Sequence, residues 1–148
     1  MEQLRVKSKN IYKIQVNDKG EFIEFDLEDI GLKVKCYEAL DDIQKITEKY
    51  QKMLSDKKEV SDKELTTIED SMFKEMRYAM DKFLGEGACQ KIFGNRNYYT
   101  MFDDLLKELT RKRPELNNKS HFDMLELNAK SVNDRIMNKY NKKVKNVI

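Results

Sequence analysis

Metal-ligating and imidazole side chains are scarce in this chain of 148 residues, which has two cysteines and one histidine. Zinc sites need several Cys or His at short spacings. Cys36, Cys89 and His121 stand far apart, so no metal or cofactor is expected. Proline occurs once and glycine five times. No Pro/Gly/Ser-rich linker divides the chain and no internal repeat is visible, so a single domain over 1–148 is the simplest organisation. The glycines form no G-x-x-x-x-G-K-[ST] phosphate loop. No apolar run approaches the ~18 residues that span a bilayer, which excludes a helical membrane span. The first residues, MEQLRVKSKN, lack the apolar segment of a secretory signal. With few cysteines, this predicts a reduced, cytoplasmic protein.

An excess of one charge is missing too. Lys+Arg number 29 and Asp+Glu 27, a net charge of +2, with the signs interspersed. A dedicated DNA binder shows a basic stripe. Here the one basic cluster is Lys139, Lys142, Lys143 and Lys145 near the end, and lysines there also suit a helix C-terminus. What the chain has in quantity is charge, 38% of residues against 39% apolar. That balance suits long amphipathic helices with wide polar faces.

In chain order, 1–10 reads as a loose arm. Ile11–Val16 and Glu21–Leu27 are β-branched and aromatic, and Asn17-Asp18-Lys19-Gly20 supplies a turn between them. A β-hairpin over 11–27 follows, with Tyr12, Ile14 and Val16 on one face and Ile23, Phe25 and Leu27 on the matching face. A lone hairpin is marginal in water, so its apolar side must lie on the helices or on a second subunit. Gly31 separates it from the next element. From about Lys33, Cys36, Ala39, Leu40, Ile43, Ile46, Tyr50, Met53 and Leu54 recur at helical spacing. Ser61 and Glu64 form a capping box for a second stripe of Leu65, Ile68, Met72, Met76, Ala79, Met80, Phe83 and Leu84. The two make a helical hairpin over 33–84.

Gly85 and Gly94 bracket a short helix. Asn95 or Asn97 is the expected cap of a further helix carrying Met101, Phe102, Leu105, Leu106 and Leu109, so 86–112 holds a short helix and a longer one. Arg111-Lys112-Arg113 and Pro114 end it. A last helix with a frayed end occupies 115–148, capped by Ser120, with Phe122, Leu125, Ala129, Val132, Ile136 and Tyr140 at three-four steps. The class is mainly α with a small N-terminal β-hairpin, α+β.

No catalytic constellation assembles. His121, between Ser120 and Phe122 at a helix start, reads as a surface or capping residue. Asp41-Asp42 and Asp103-Asp104 are adjacent pairs whose side chains diverge by about 100° on a helix. Both are placed in early turns, where the dipole favours carboxylates. Cys36 and Cys89 read as buried packing groups. Candidate partner-binding residues are Met72, Met76 and Met80, an adaptable stripe, and Tyr98, Tyr99 and Phe102. Core filling is the competing reading of the methionines. Arg96, Tyr98 and Tyr99 would stack on bases in a nucleic-acid-binding alternative, for which no basic groove is visible.

The hairpin strand EFIEFDL, the long polar-apolar helix and the segment KFLGEGACQKIFGNRNYYTMFDDLLKEL together resemble the tail assembly chaperones of long-tailed bacteriophages, or prophages, of Gram-positive hosts. The likeness spans residues 10–110. It implies a non-enzymatic protein that binds the tape measure protein, keeps it soluble and helps tail tube protein assemble around it. It also implies action in the host bacterial cytoplasm and absence from the mature virion. The family carries no fixed active-site residues. Self-association into a homo-oligomer is expected from the number of apolar positions. The alternatives are a small nucleic-acid-binding or regulatory phage protein, or a virion head-tail connector component.

Overall fold

The structure is a computed structural model in which residues 1–7 and 9–114 are described. The expected helix of 115–148 and His121 lie outside the described residues. Among the latter the order is β1 (Ile11–Gln15), β2 (Phe22–Asp26), α1 (Ile30–Ser55), α2 (Asp62–Leu84), α3 (Ala88–Phe93) and α4 (Met101–Lys112). The chain is therefore mainly helical with a small N-terminal antiparallel hairpin, as its patterning predicts.

The hairpin forms in the expected register. Tyr12 lies opposite Phe25 and Ile14 opposite Ile23. Period-two alternation puts these four on one face. Ile23 and Phe25 are buried, while Tyr12, Ile14, Val16 and Leu27 are partly so. The turn closes through Gly20 N–H to the Asn17 carbonyl at 3.3 Å, with Gly20 at φ 78°. Of the two expected supports for the hairpin, its own helices provide one. Phe25 stacks on Phe83 at the end of α2, with centroids 5.6 Å apart and planes at 27°.

Gly31 does not separate hairpin from helix. It lies inside the first turn of α1, which starts at Ile30 rather than near Lys33. Asp29 is the N-cap and accepts the Gly31 N–H at 2.8 Å. A Cβ at Gly31 would meet the Asp29 carboxylate oxygen at 3.0 Å, so the small residue lets the cap close tightly. Asp41-Asp42 consequently lie about three turns inside α1, and the dipole does not explain them. Asp42 instead faces Lys82 of α2 at 3.8 Å.

Ser61 caps α2 as expected, accepting the Glu64 N–H at 3.1 Å. The Glu64 carboxylate reaches Lys57 in the preceding loop, at 3.5 Å. The pairs Asp42–Lys82 and Lys49–Glu75 show α2 running antiparallel to α1. Leu32, Cys36, Ala39, Leu40, Ile43, Tyr50 and Leu54 on α1 meet Leu65, Met72, Phe73, Met76, Ala79, Met80 and Phe83 on α2 in one hydrophobic cluster. Thr47 is buried among them, its hydroxyl donating to the Ile43 carbonyl at 2.8 Å.

The α2–α3 corner uses Gly85 and Gly87, both at positive φ, 113° and 74°. Gly87 has no side chain to cap α3, so Asp81 of α2 accepts the Cys89 N–H at 2.8 Å. Neither Asn95 nor Asn97 caps α4. Thr100 holds that position, its hydroxyl donating to Asp104 at 3.1 Å. Asn97 accepts from Arg77 at 2.8 Å and Asn95 from Gln90 at 3.2 Å. Asp103-Asp104 do lie in the first turn of α4 and Arg111 and Lys112 in its last, as the dipole favours.

Candidate partner-binding surface

Met72, Met76 and Met80 occupy consecutive turns of one α2 face, and that face points inward. Their exposures are 1%, 7% and 0%. They belong to the one hydrophobic cluster that α2 shares with α1 and the hairpin, where an unbranched thioether adapts to irregular space. They offer no surface to a partner in this conformation. Phe102 is buried as well, edge-on to Phe93 at 6.0 Å and 87°.

Tyr98 and Tyr99 are half-buried and engaged. Tyr98 meets the Phe93 ring edge-on at 6.2 Å, with the Arg96 guanidinium 5.3 Å from its own centroid. Tyr99 leans on Phe73 at 5.6 Å and donates its hydroxyl to Glu69. Burial first, then that carboxylate, pushes the phenol well above its ordinary pKa. Arg77 fastens the loop below, donating to the Arg96 carbonyl and to Asn97. These residues thus come together as a packed corner rather than an open stacking platform.

The surface on offer lies elsewhere. A groove of about 400 Å³ runs between α1 and α2, lined by Asp42, Lys45, Ile46, Lys74, Glu75, Tyr78, Ala79 and Lys82. Ile46 and Ala79 belong to the apolar stripes and supply its floor. Tyr78 stands beside them at 69% exposure, with the Lys82 ammonium 4.9 Å from its ring centroid. The carboxylates are already matched by cations. Asp42 faces Lys82 at 3.8 Å and Glu75 faces Lys49 at 2.8 Å. Lys49 first, and the Tyr50 hydroxyl after it, hold the Glu75 carboxyl below its usual range. Lys82 is thereby spoken for, Lys74 is matched by Asp70 at 2.9 Å, and Lys45 adds one further positive charge to the rim.

Such a groove suits a polypeptide. An apolar floor with an exposed tyrosine takes the ridge of an amphipathic helix, and a lysine rim favours acidic flanks. The patterning of α2 already held the signal for Tyr78, an aromatic lying off the apolar stripe. The lysines gave none, because they read as an ordinary solvated face. The pairing of the two helices decides which surface residues share a groove.

Other apolar side chains are exposed: Ile11 and Phe22 on the outer face of the hairpin, and Ile30, Val34 and Tyr37 on α1. Among the described residues, no cluster of three or more His, Cys, Asp and Glu side chains is arranged to hold a metal ion. No helix among them is long and apolar enough to cross a membrane. Both cysteines are free thiols and buried. Comparison with protein-family models, curated proteins and solved structures finds no match.

Proposed function

We propose that this protein is a non-enzymatic assembly chaperone of a long-tailed phage or prophage of a Gram-positive host. In this reading the groove between α1 and α2 receives an amphipathic helix of the tape measure protein. The resemblance of residues 10–110 to that family supports the assignment. The observation that carries the groove is Tyr78, exposed at 69% beside Ile46 and Ala79 under a lysine rim. An exposed aromatic over an apolar floor is the composition of a binding hot spot. Covering apolar ridges of a long helical client keeps that client soluble until tube subunits enclose it. The protein then acts in the host bacterial cytoplasm and leaves before the virion matures.

Co-expression with the tape measure protein of the same phage tests the reading. The expected result is co-purification and a raised soluble fraction of that partner. The Tyr78→Glu variant is expected to weaken the complex at least about tenfold without moving the thermal midpoint of the free chaperone. Failure of the wild type to co-purify overturns the assignment. Unchanged affinity of the variant overturns the groove alone. Purified virions should contain none of the protein by mass spectrometry. Self-association belongs to the same reading, because each strand of a two-stranded sheet presents an edge its partner does not pair. Light scattering that shows only monomer at high concentration removes that part.

A further inference from the structure

Residues 1–7 form neither helix nor strand, and two apolar side chains among them face solvent, Leu4 at 96% and Val6 at 92% exposure. They alternate with Arg5 and Lys7, so the arm, when extended, has one apolar and one basic side. The outer edge of β2 carries the matching pattern. Among the described residues β1 and β2 make a two-stranded sheet, so β2 is paired on one side only. The Leu27 N–H bonds to the Asn10 carbonyl and the Val16 N–H to the Glu21 carbonyl. In an antiparallel ladder these bonds fix the parity. The backbone groups of Ile23 and Phe25 point to β1, and those of Phe22, Glu24 and Asp26 point away from it. Ile23 and Phe25 lie on the inner face, and the other three on the outer face.

We infer that the arm of a second copy pairs antiparallel with this edge, as an added strand. With Leu4 and Val6 on the inner side, beside Leu27 and Phe25, the same register sets Arg5 opposite Asp26 and Lys7 opposite Glu24. Opposed residues share a face, so one parity satisfies the apolar and the charged side at once. A slip of one residue puts both on the wrong side. Glu24 is open to the contact. Lys13, its neighbour across the hairpin, stands 3.7 Å away, and both side chains are more than half exposed. Asp26 accepts the Glu28 N–H at 3.0 Å, and a carboxylate takes further donors beside that one. Arg5 donates to Gln3 at 2.8 Å, a bond within the arm itself.

The chain's own edge is out of reach of its own arm in this register. Lys7 stands level with Glu24 on the far side of β2, whereas Asn10 sits level with Leu27 on the β1 side. Three residues along and two strand spacings across make about 14 Å. The three steps from Lys7 to Asn10 span at most ~11 Å. The arm therefore comes from another copy. Each copy gives one arm and receives one, so the exchange closes as a twofold dimer. The inference deepens the self-association proposed above by giving it a site, and it depends on no client.

Sedimentation equilibrium and hydrogen exchange on the full chain test it. A concentration-dependent dimer is expected, with the Glu24 amide exchanging at least about tenfold more slowly in the dimer than in dilute monomer. Lys7→Glu and Glu24→Lys should each weaken the dimer about tenfold, because the contact occurs twice in every pair. Mixed in equal amounts, the two variants should recover the wild-type affinity to within about threefold. In the mixed pair the arm of Lys7→Glu meets the edge of Glu24→Lys, and the other arm and edge are native. That recovery also shows that both variants fold. Monomer at every concentration overturns the inference and the earlier self-association together. Three results overturn the arm alone: a dimer indifferent to both variants, no recovery on mixing, or a Glu24 amide equally protected at every dilution, which means that the edge is covered within one chain. Co-purification with the tape measure protein is a separate measurement and is unaffected by any of these.

Discussion

Tyr99, Cys36 and Cys89 are neutral acids held inside the fold. Burial pushes the Cys36 thiol up to about 11. Burial first, then the Asp81 carboxylate, raises Cys89 further, and Tyr99 is raised by burial and Glu69. A raised folded value stabilises the fold fully while the unfolded group is also neutral. In the unfolded chain the thiols ionise near ~8.5 and the phenol near ~10. Stability should therefore be flat to about pH 8, then fall as pH climbs toward the folded values. Urea midpoints at pH 8 and pH 10.5 check this. Tyr99→Phe should make the alkaline fall shallower, at a neutral-pH cost of about 0.5–1.5 kcal/mol for the lost hydrogen bond. Both thiols should resist a thiol reagent in the native state and react on unfolding. Burial of Cys36 and Cys89 was legible in the apolar patterning. The bond from Tyr99 to Glu69 was not, because the partners are thirty residues apart, one on α2 and the other in the turn before α4.

At the scale of elements, helix starts divide into local and borrowed ones. Ser61 caps α2 from its own sequence, and Ser61→Ala should cost about 1 kcal/mol in thermal or urea unfolding. The start of α3 takes its acceptor from Asp81, a full element earlier. Asp81→Ala should destabilise by a similar amount and increase exchange at the Cys89 amide, with little effect on α1. That acceptor was invisible in the sequence because a cap is sought within three residues, whereas this one crosses a corner. The methionine stripe makes the opposite point. Its i, i+4 spacing showed the three side chains share a face of α2, but not whether that face meets solvent. Met80 is wholly enclosed, so Met80→Ala should cost about 2–5 kcal/mol and Met80→Leu less than about 1.5 kcal/mol. Denaturant titration separates the two.

At the scale of the molecule, the hairpin is held by docking. Phe25 is 2% exposed and stacked on Phe83. At the other end of the hairpin, the Asn17 side chain donates to the Lys91 carbonyl at 3.0 Å and accepts the Lys19 N–H at 3.0 Å. One asparagine therefore shapes the turn and ties it to the last turn of α3. Phe25→Ala should cost about 3–5 kcal/mol. It should also release exchange protection across both strands before α2 loses its own. An unchanged strand protection pattern would mean the hairpin does not need that stack.

Taken alone, the sequence determined the period of each segment. A repeat of two between Ile11 and Leu27, and three-four steps from Cys36 to Leu109, specify a hairpin and helices, because each backbone geometry returns side chains to one face at its own interval. Ser61, Gly20 and the two signs of charge flanking α4 were decided at that level too, since turns, caps and dipoles act over a few residues. Only the tertiary structure decided which face turned inward, which cap was lent by Asp81, and that Lys45, Tyr78 and Lys82 line one groove. The inward faces and the groove follow from α1 lying antiparallel on α2, and the borrowed cap from the corner that Gly85 and Gly87 turn between α2 and α3. Pairing of that kind depends on distances between residues tens of positions apart, and no local spacing encodes them.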